Sequence, residues 1–217
     1  EHVLALMLSL VKQLPRLDSA VRNGNYSIRY QNLSRDLHGK IIGLLGFGRI
    51  GHEVAGACAK VFKMKVLACD PYLSDAAKAP HAELVTFVDI KQLCRVADVI
   101  SVHVPLTEET RHLLSVEEFK LMKSDAVIIN TSRGPVIDEK ALVDALQHKV
   151  IGGAGLDVQA QEPPDPDNPL LKLDNVLLTP HSAALTKECV IRMATDAADR
   201  ALEVLADIKP INVANPE

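Results

Sequence analysis

One stretch constrains this chain more than any other: residues 40–70 read as strand, glycine turn, helix, second strand and terminal acid. Lys40-Ile41-Ile42-Gly43-Leu44-Leu45 is a short apolar run, and Gly46-Phe47-Gly48-Arg49-Ile50-Gly51 follows it. Small residues then recur at helical spacing (Val54, Ala55, Ala57, Cys58, Val61), followed by an apolar run from Met64 to Cys69 and then Asp70. Gly46 permits a tight turn off the strand, Gly48 leaves room for a diphosphate to approach the main chain, and Gly51 lets helix and sheet pack closely. The open N–H groups and positive dipole end of the helix face that diphosphate. Asp70 lies about 20 residues past the turn, where an acid can accept both ribose hydroxyls. A glycine turn of this kind is also a common structural turn. It is the surrounding strand, helix, strand and acid that point to a dinucleotide site.

The same alternation runs on. Short apolar runs at 84–87, 98–104, 126–130, 151–158 and 175–178 read as strands, and helix patterns fall at 89–96, 116–122, 138–147 and 186–205. Near-continuous apolar strands separated by helices predict a parallel sheet covered on both faces. The expected fold is therefore α/β, a Rossmann-type doubly wound parallel sheet with helices on both faces. Ahead of it, residues 1–14 are apolar at helical spacing until Pro15 interrupts, and such a helix needs a partner surface. Residues 18–39 are mixed and polar, with a turn signal at Asn23-Gly24-Asn25, and read as an arm rather than core. The segment from Glu162 to Pro169 holds four prolines and reads as an ordered surface loop. The expected organisation is a linking helix and arm over 1–35, a dinucleotide-binding domain over 36–185, and a further helix and tail over 186–217.

Bulk properties exclude several function classes. The formal net charge of −4 supplies no basic field to hold nucleic acid or an anionic membrane. No apolar run approaches the length of a bilayer span. Cys58, Cys69, Cys94 and Cys189 show no Cys-x-x-Cys or Cys/His ligand spacing, so buried thiols in a reducing, cytoplasmic compartment are expected, and no metal site.

In open α/β sheets, ligands bind beyond the carboxyl ends of the strands. The polar residues just after each strand are thus the candidates: the glycine turn, Asp70, His103, Thr131-Ser132-Arg133-Gly134, Asp157, Glu162 and Pro180-His181-Ser182-Ala183. Arg133 at a strand end, beside a glycine, suits bidentate capture of a carboxylate, although a surface ion pair would use the same residue. His181 lies between strand and helix, where an imidazole can exchange a proton or simply cap the helix. Glu162 can bond that imidazole or stand as a solvated loop acid. His103 reads as lining the cofactor rather than as an acid–base group. His2, His38, His52, His81, His112 and His148 read as solvated and off this rim.

Five ordered motifs carry a resemblance. They are Gly46-Phe47-Gly48-Arg49-Ile50-Gly51; Val102-His103-Val104-Pro105-Leu106-Thr107 with Thr110; Asn130-Thr131-Ser132-Arg133-Gly134; Gly155-Leu156-Asp157-Val158 with Glu162-Pro163; and Thr179-Pro180-His181. Together they resemble the D-isomer-specific 2-hydroxyacid dehydrogenases, which include phosphoglycerate, D-lactate and glycerate/hydroxypyruvate dehydrogenases. The resemblance implies an NAD cofactor and hydride transfer to or from a small 2-hydroxy or 2-oxo acid. It implies that Arg133 anchors the substrate carboxylate, that His181 is the acid/base, and that Glu162 holds His181 protonated. It implies that Arg49 and Ile50 line the diphosphate, that Asp157 takes the nicotinamide amide, and that Pro71, His103, Val104, Pro105, Thr110, Thr131, Ser132, Ala183 and Ala184 complete the cofactor site with Asp70. Asp70 would repel a 2′-phosphate, which favours NAD over NADP.

The family usually places a tryptophan after the glycine of the arm, where this chain reads Gly24-Asn25-Tyr26. The resemblance also implies an upstream substrate domain on the order of 100 residues, absent from the sequence in hand, and a homodimer formed through the coenzyme domain. A second reading from another class, by fold analogy alone, is an NAD-sensing corepressor that keeps the same three residues.

Overall fold

A computed structural model of the chain describes residues 1–31 and 33–210. The tail from residue 211, which the sequence reading joins to the last helix, lies outside the described residues. The chain divides into two compact units, Glu1–Pro180 and the segment from His181 onward.

The first unit is built on seven parallel strands: β1 (Ile41–Leu45), β2 (Lys65–Cys69), β3 (Val85–Phe87), β4 (Val99–Val102), β5 (Val127–Asn130), β6 (Gly153–Leu156) and β7 (Val176–Leu178). Their order in the sheet is β3-β2-β1-β4-β5-β6-β7, so the winding reverses between β1 and β4. Helices cover both faces, as the apolar strands predict. One face carries α5 (Ile90–Val96), α6 (Val116–Leu121) and α7 (Glu139–Gln147), packed on Leu45, Ile100, Val102, Ile128, Ala154 and Leu156. The other carries α1 (His2–Val11) and α3 (Arg49–Lys60), packed on Ile42, Leu44, Val66, Val99, Val127 and Ile129. Alternate residues of one strand thus serve two separate cores, which is why the runs read as continuously apolar.

The apolar stripe of α1 finds its surface within the chain: Val3, Leu6, Met7 and Val11 are buried against the sheet. The sequence reading places no helix after Pro15, but α2 (Leu14–Arg22) forms there. Gln13 adopts a left-handed φ of 54° and breaks the axis, and Pro15 then sits in the first turn of the new helix. That position has no hydrogen bond to lose, so the proline starts α2 as readily as it ends α1. The arm folds as a short 3-10 turn, Tyr26–Tyr30, and sends Ile28 and Leu37 into the interior.

At the amino edge of the sheet, Asp98 accepts hydrogen bonds from the Ile41 N–H (2.7 Å) and from Lys123 Nζ (2.8 Å), with Lys40 Nζ at 4.0 Å. Burial acts to raise the pKa of this carboxyl. The bonds from Lys123 and Ile41 and the two lysine charges outweigh it and hold the pKa below the ordinary aspartate value. A depressed folded-state pKa contributes stability that is present above the unfolded pKa and is lost as pH falls through the folded one. Asp98→Asn is expected to destabilise the unit by about 2 kcal/mol at neutral pH. The difference should shrink below about pH 4, as denaturant midpoints across that range would show.

Candidate active site

The site is assembled at the carboxyl ends of the strands. β1 ends at Leu45, and Gly46 turns the chain with a φ of 91° while its N–H donates to the Cys69 carbonyl at 2.9 Å. A Cβ at Gly46 would lie 2.8 Å from the His103 carbonyl oxygen, so the turn is wedged between the ends of β2 and β4. Gly48 caps α3 and faces open space, with nothing within 4 Å of a Cβ placed there. Gly51 is required for a different contact from the helix–sheet packing expected of it, because its Cβ would stand 2.6 Å from the Gly46 carbonyl oxygen. The turn therefore doubles back onto the first turn of α3, where Arg49 and Ile50 are exposed.

Asp70 stands beside this turn. Its Oδ2 accepts the Phe47 N–H at 2.9 Å and its Oδ1 accepts the Tyr72 N–H at 3.1 Å. Phe47 in turn packs edge-on against His52, His81 and Phe87, with centroids 5.9, 5.1 and 5.3 Å away. His52 and His81, expected off the rim, thus buttress the turn from α3 and from the 3-10 turn Ala79–His81 that follows the short helix α4 (Asp75–Lys78).

A cleft of about 1060 Å³ opens where the winding reverses, and Gly46, Gly48, Asp70, Pro71, His103, Val104, Pro105 and Thr110 line it. Tyr72 and residues 87–90, which the sequence reading omitted, line it too, as does Thr107 of the second motif. Phe87 ends β3 and residues 88–90 follow it, so the carboxyl-end rule could have found them. Thr110 is buried, and its hydroxyl donates to the Pro105 carbonyl (2.7 Å) and accepts the Thr107 N–H (2.7 Å), which closes the loop that walls the cleft. His103 Nε2 lies 2.9 Å from Ser101 Oγ, and burial lowers its pKa to about 4. It is a neutral ring at ordinary pH, suited to lining rather than to proton exchange.

Across the reversal point, β5 and β6 deliver Arg133 and Glu162. Asn130, fully buried, gives its Nδ2 to the Arg133 carbonyl (3.0 Å) and accepts both the N–H and the hydroxyl of Ser132 at 2.9 Å. The loop of Thr131, Ser132 and Arg133 is thereby curled around one amide, with the Arg133 side chain exposed at its tip. Gly134 presses on the backbone of Gln159 and Ala160, and a Cβ there would overlap the Gln159 carbonyl. Glu162 Oε1 accepts the Gln159 N–H at 3.1 Å. Glu139 holds the same loop by accepting from Ala160 N–H and from Asn168 Nδ2, both at 2.9 Å. The loops of Arg133 and Glu162 are thus clamped together. Glu139, which holds the second loop, carries no local signal that distinguishes it from an ordinary helix-start residue.

Asp157 is fully buried at the end of β6, where the Thr179 hydroxyl donates to its Oδ1 at 2.6 Å. His2, expected to be solvated, is 2.9 Å from Thr179 Oγ1 and 3.5 Å from Asp157 Oδ1. The separation of 177 residues between His2 and Thr179 hides this contact from any local reading.

His181, Ala183 and Ala184 open the second unit. His181 is exposed and left-handed, with a φ of 51°, an uncommon conformation for a side-chain-bearing residue. Thr186 then caps α8 (Lys187–Leu205) by accepting the Cys189 N–H at 3.0 Å.

Cys58 and Cys94 are buried, which pushes their thiols up to about 12, whereas Cys69 and Cys189 are partly exposed. Among the described residues, no cluster of three or more His, Cys, Asp or Glu could hold a metal, and no helix is long and apolar enough to cross a membrane.

Residues 4–183 match the model of the D-isomer specific 2-hydroxyacid dehydrogenase NAD binding domain. The chain is 40% identical over 215 residues to a D-3-phosphoglycerate dehydrogenase of Archaeoglobus fulgidus, covering 99% of this chain and 40% of that protein. It is 39% identical over 220 residues to a glyoxylate reductase of Korarchaeum cryptofilum, covering all of this chain and 65% of that protein. Among solved structures, a D-lactate dehydrogenase from Aquifex aeolicus in complex with NAD and lactic acid superposes with a TM-score of 0.85 at 33% identity, covering 95% of this chain and 65% of that one. The chain therefore spans well under half of the first relative and just under two thirds of the other two.

Proposed function

The chain belongs to the D-isomer specific 2-hydroxyacid dehydrogenases, through their NAD-binding domain, and on that premise we propose that it serves hydride transfer between NAD(H) and a small D-2-hydroxy acid and its 2-oxo partner. The observation that carries this reading is the glycine turn, open at Gly48, facing a cleft whose side holds the tethered Asp70 carboxylate. Each Asp70 oxygen spends one lone pair on a backbone N–H and keeps capacity for a ribose hydroxyl. The same carboxylate would repel a 2′-phosphate, which supports NAD over NADP.

Bound NADH supplies the hydride, and the protein supplies position and charge. Arg133, at the tip of its amide-locked loop, pairs with the substrate carboxylate in the forked geometry a guanidinium favours. His181 holds a proton for the carbonyl oxygen and takes one from the hydroxyl in the reverse direction. The family resemblance assigns Glu162 as the carboxylate partner of this histidine. The same resemblance assigns the nicotinamide carboxamide to Asp157, which is buried in this structure and would hold it. The names of the relatives support phosphoglycerate, glyoxylate, hydroxypyruvate or lactate as the substrate class. The exposed Tyr26, Tyr30 and Leu33 of the arm support a second copy of the chain as partner, and the buried thiols Cys58 and Cys94 support a reducing, cytoplasmic setting.

The direct test is titration with NADH, followed by NADH oxidation against a panel of 2-oxo acids. A saturable change in NADH fluorescence is expected, with the dissociation constant raised about tenfold in Asp70→Ala, the equivalent of one charge-assisted bond. A titration without saturation would overturn the reading.

A further inference from the structure

The glycine-rich strand β6 and the helix α1 are in register. A Cβ at Gly153 would meet Leu10 at 3.8 Å, and one at Gly155 would meet Leu10 and Leu6 at 3.1 Å. His2 then reaches Asp157. Four helical residues advance about 6 Å, and two strand residues advance about 6.6 Å. The steps match, with helix and strand running in opposite directions. The glycines let α1 lie close on the strand, and the matched steps carry its first turn to the carboxyl rim.

At that rim Asp157 is a fully buried carboxylate, which is costly unless donors satisfy it. The Thr179 hydroxyl, at 2.6 Å from Oδ1, has a single proton, and at that short distance the proton goes to the carboxylate. Thr179 Oγ1 is then an acceptor towards His2, so His2 must present a hydrogen on Nε2 across the 2.9 Å between them. The order is His2 Nε2–H to Thr179 Oγ1–H to Asp157 Oδ1. The one hydrogen of His2 Nε2 goes to Thr179, so the Thr179 hydroxyl is the donor that orients Oδ1, and His2, 3.5 Å from that oxygen, acts on it through Thr179.

We propose that His2 is a positioning residue for the nicotinamide end of the cofactor: through Thr179 it holds the Asp157 carboxylate at the angle that receives the carboxamide. The proposal rests on the assignment of Asp157 to that carboxamide. It gives the first helix a task beyond packing, since the close fit of α1 on Gly153 and Gly155 sets the placement of a group at the reacting end.

The test compares two ligands that differ only in the nicotinamide, NADH and ADP-ribose. His2→Ala is expected to raise the dissociation constant for NADH about five- to tenfold, the effect of one lost hydrogen bond, and to leave that for ADP-ribose unchanged. His2→Gln, which can bring an N–H to the same place, is expected to recover most of the loss. Thr179→Val breaks the chain without touching α1 and should reproduce the selective loss, whereas Thr179→Ser should not. If both ligands weaken together, His2 is only a structural contact and the proposal is overturned. It is overturned equally if neither ligand weakens. If the unaltered protein binds ADP-ribose and NADH equally well, Asp157 does not serve the nicotinamide, and this inference alone fails. If it binds neither, the cofactor reading fails and takes the inference with it.

Discussion

Replacing His181 with alanine is expected to lower the turnover of NADH with the best 2-oxo acid by about 10²- to 10⁴-fold, the span contributed by a positioned acid or base, while NADH still binds. The hydride and the proton must arrive at one carbonyl together, so losing the proton donor stalls the chemical step and spares the binding step. The prediction separates cleanly from a folding defect. His181 is exposed, so its removal leaves no cavity. Its left-handed φ of 51° suits histidine somewhat better than alanine, a difference the melting curve reads separately from turnover. The measurement is kcat from NADH oxidation, beside an NADH titration and a melting curve on the same variant. Turnover near that of the unaltered protein would remove His181 from the chemistry.

The second large effect is expected at Gly134, for a structural reason. A methyl group there would overlap the Gln159 carbonyl oxygen and stand 2.6 Å from the Ala160 nitrogen. Both are backbone atoms, pinned by Glu139 and by the Gln159–Glu162 bond, so neither can rotate away as a side-chain tip would. Gly134→Ala is expected to destabilise the first unit by about 3 kcal/mol, a fall in Tm of roughly 6–12 °C at this chain length. Activity should fall further than stability. Any relaxation moves the Arg133 loop away from the Glu162 loop, and displacing a binding group by about 1 Å can cost about 100-fold in rate. A Gly134→Ala protein with unchanged Tm and kcat/KM would show that the two loops are not coupled. The contrast is Gly48, where a Cβ meets nothing within 4 Å, so alanine should fold normally and weaken only the binding of the dinucleotide.

The fold was largely legible in the chain because its signals are local. Apolar runs such as Ile128 and Ile129 or Val99 and Ile100 announce a strand buried on both faces, and the helix patterns between them force parallel pairing. The turn from Gly46 to Gly51 and the acid at position 70 are likewise local, since a backbone that must turn and open needs glycine wherever it does so. α2 escaped because proline at the first turn of a helix and proline ending a helix look alike in sequence.

The amino-acid order alone thus determined the strands, the turn, and the rim at which the polar residues gather, because each depends on neighbours a few positions apart. Tertiary structure alone decided what holds those residues in place: Glu139 across to Asn168, Gly134 against Gln159, His2 against Thr179. Those contacts exist only once the chain has closed over tens to 177 residues, and nothing in the spacing of a sequence records a meeting of that kind.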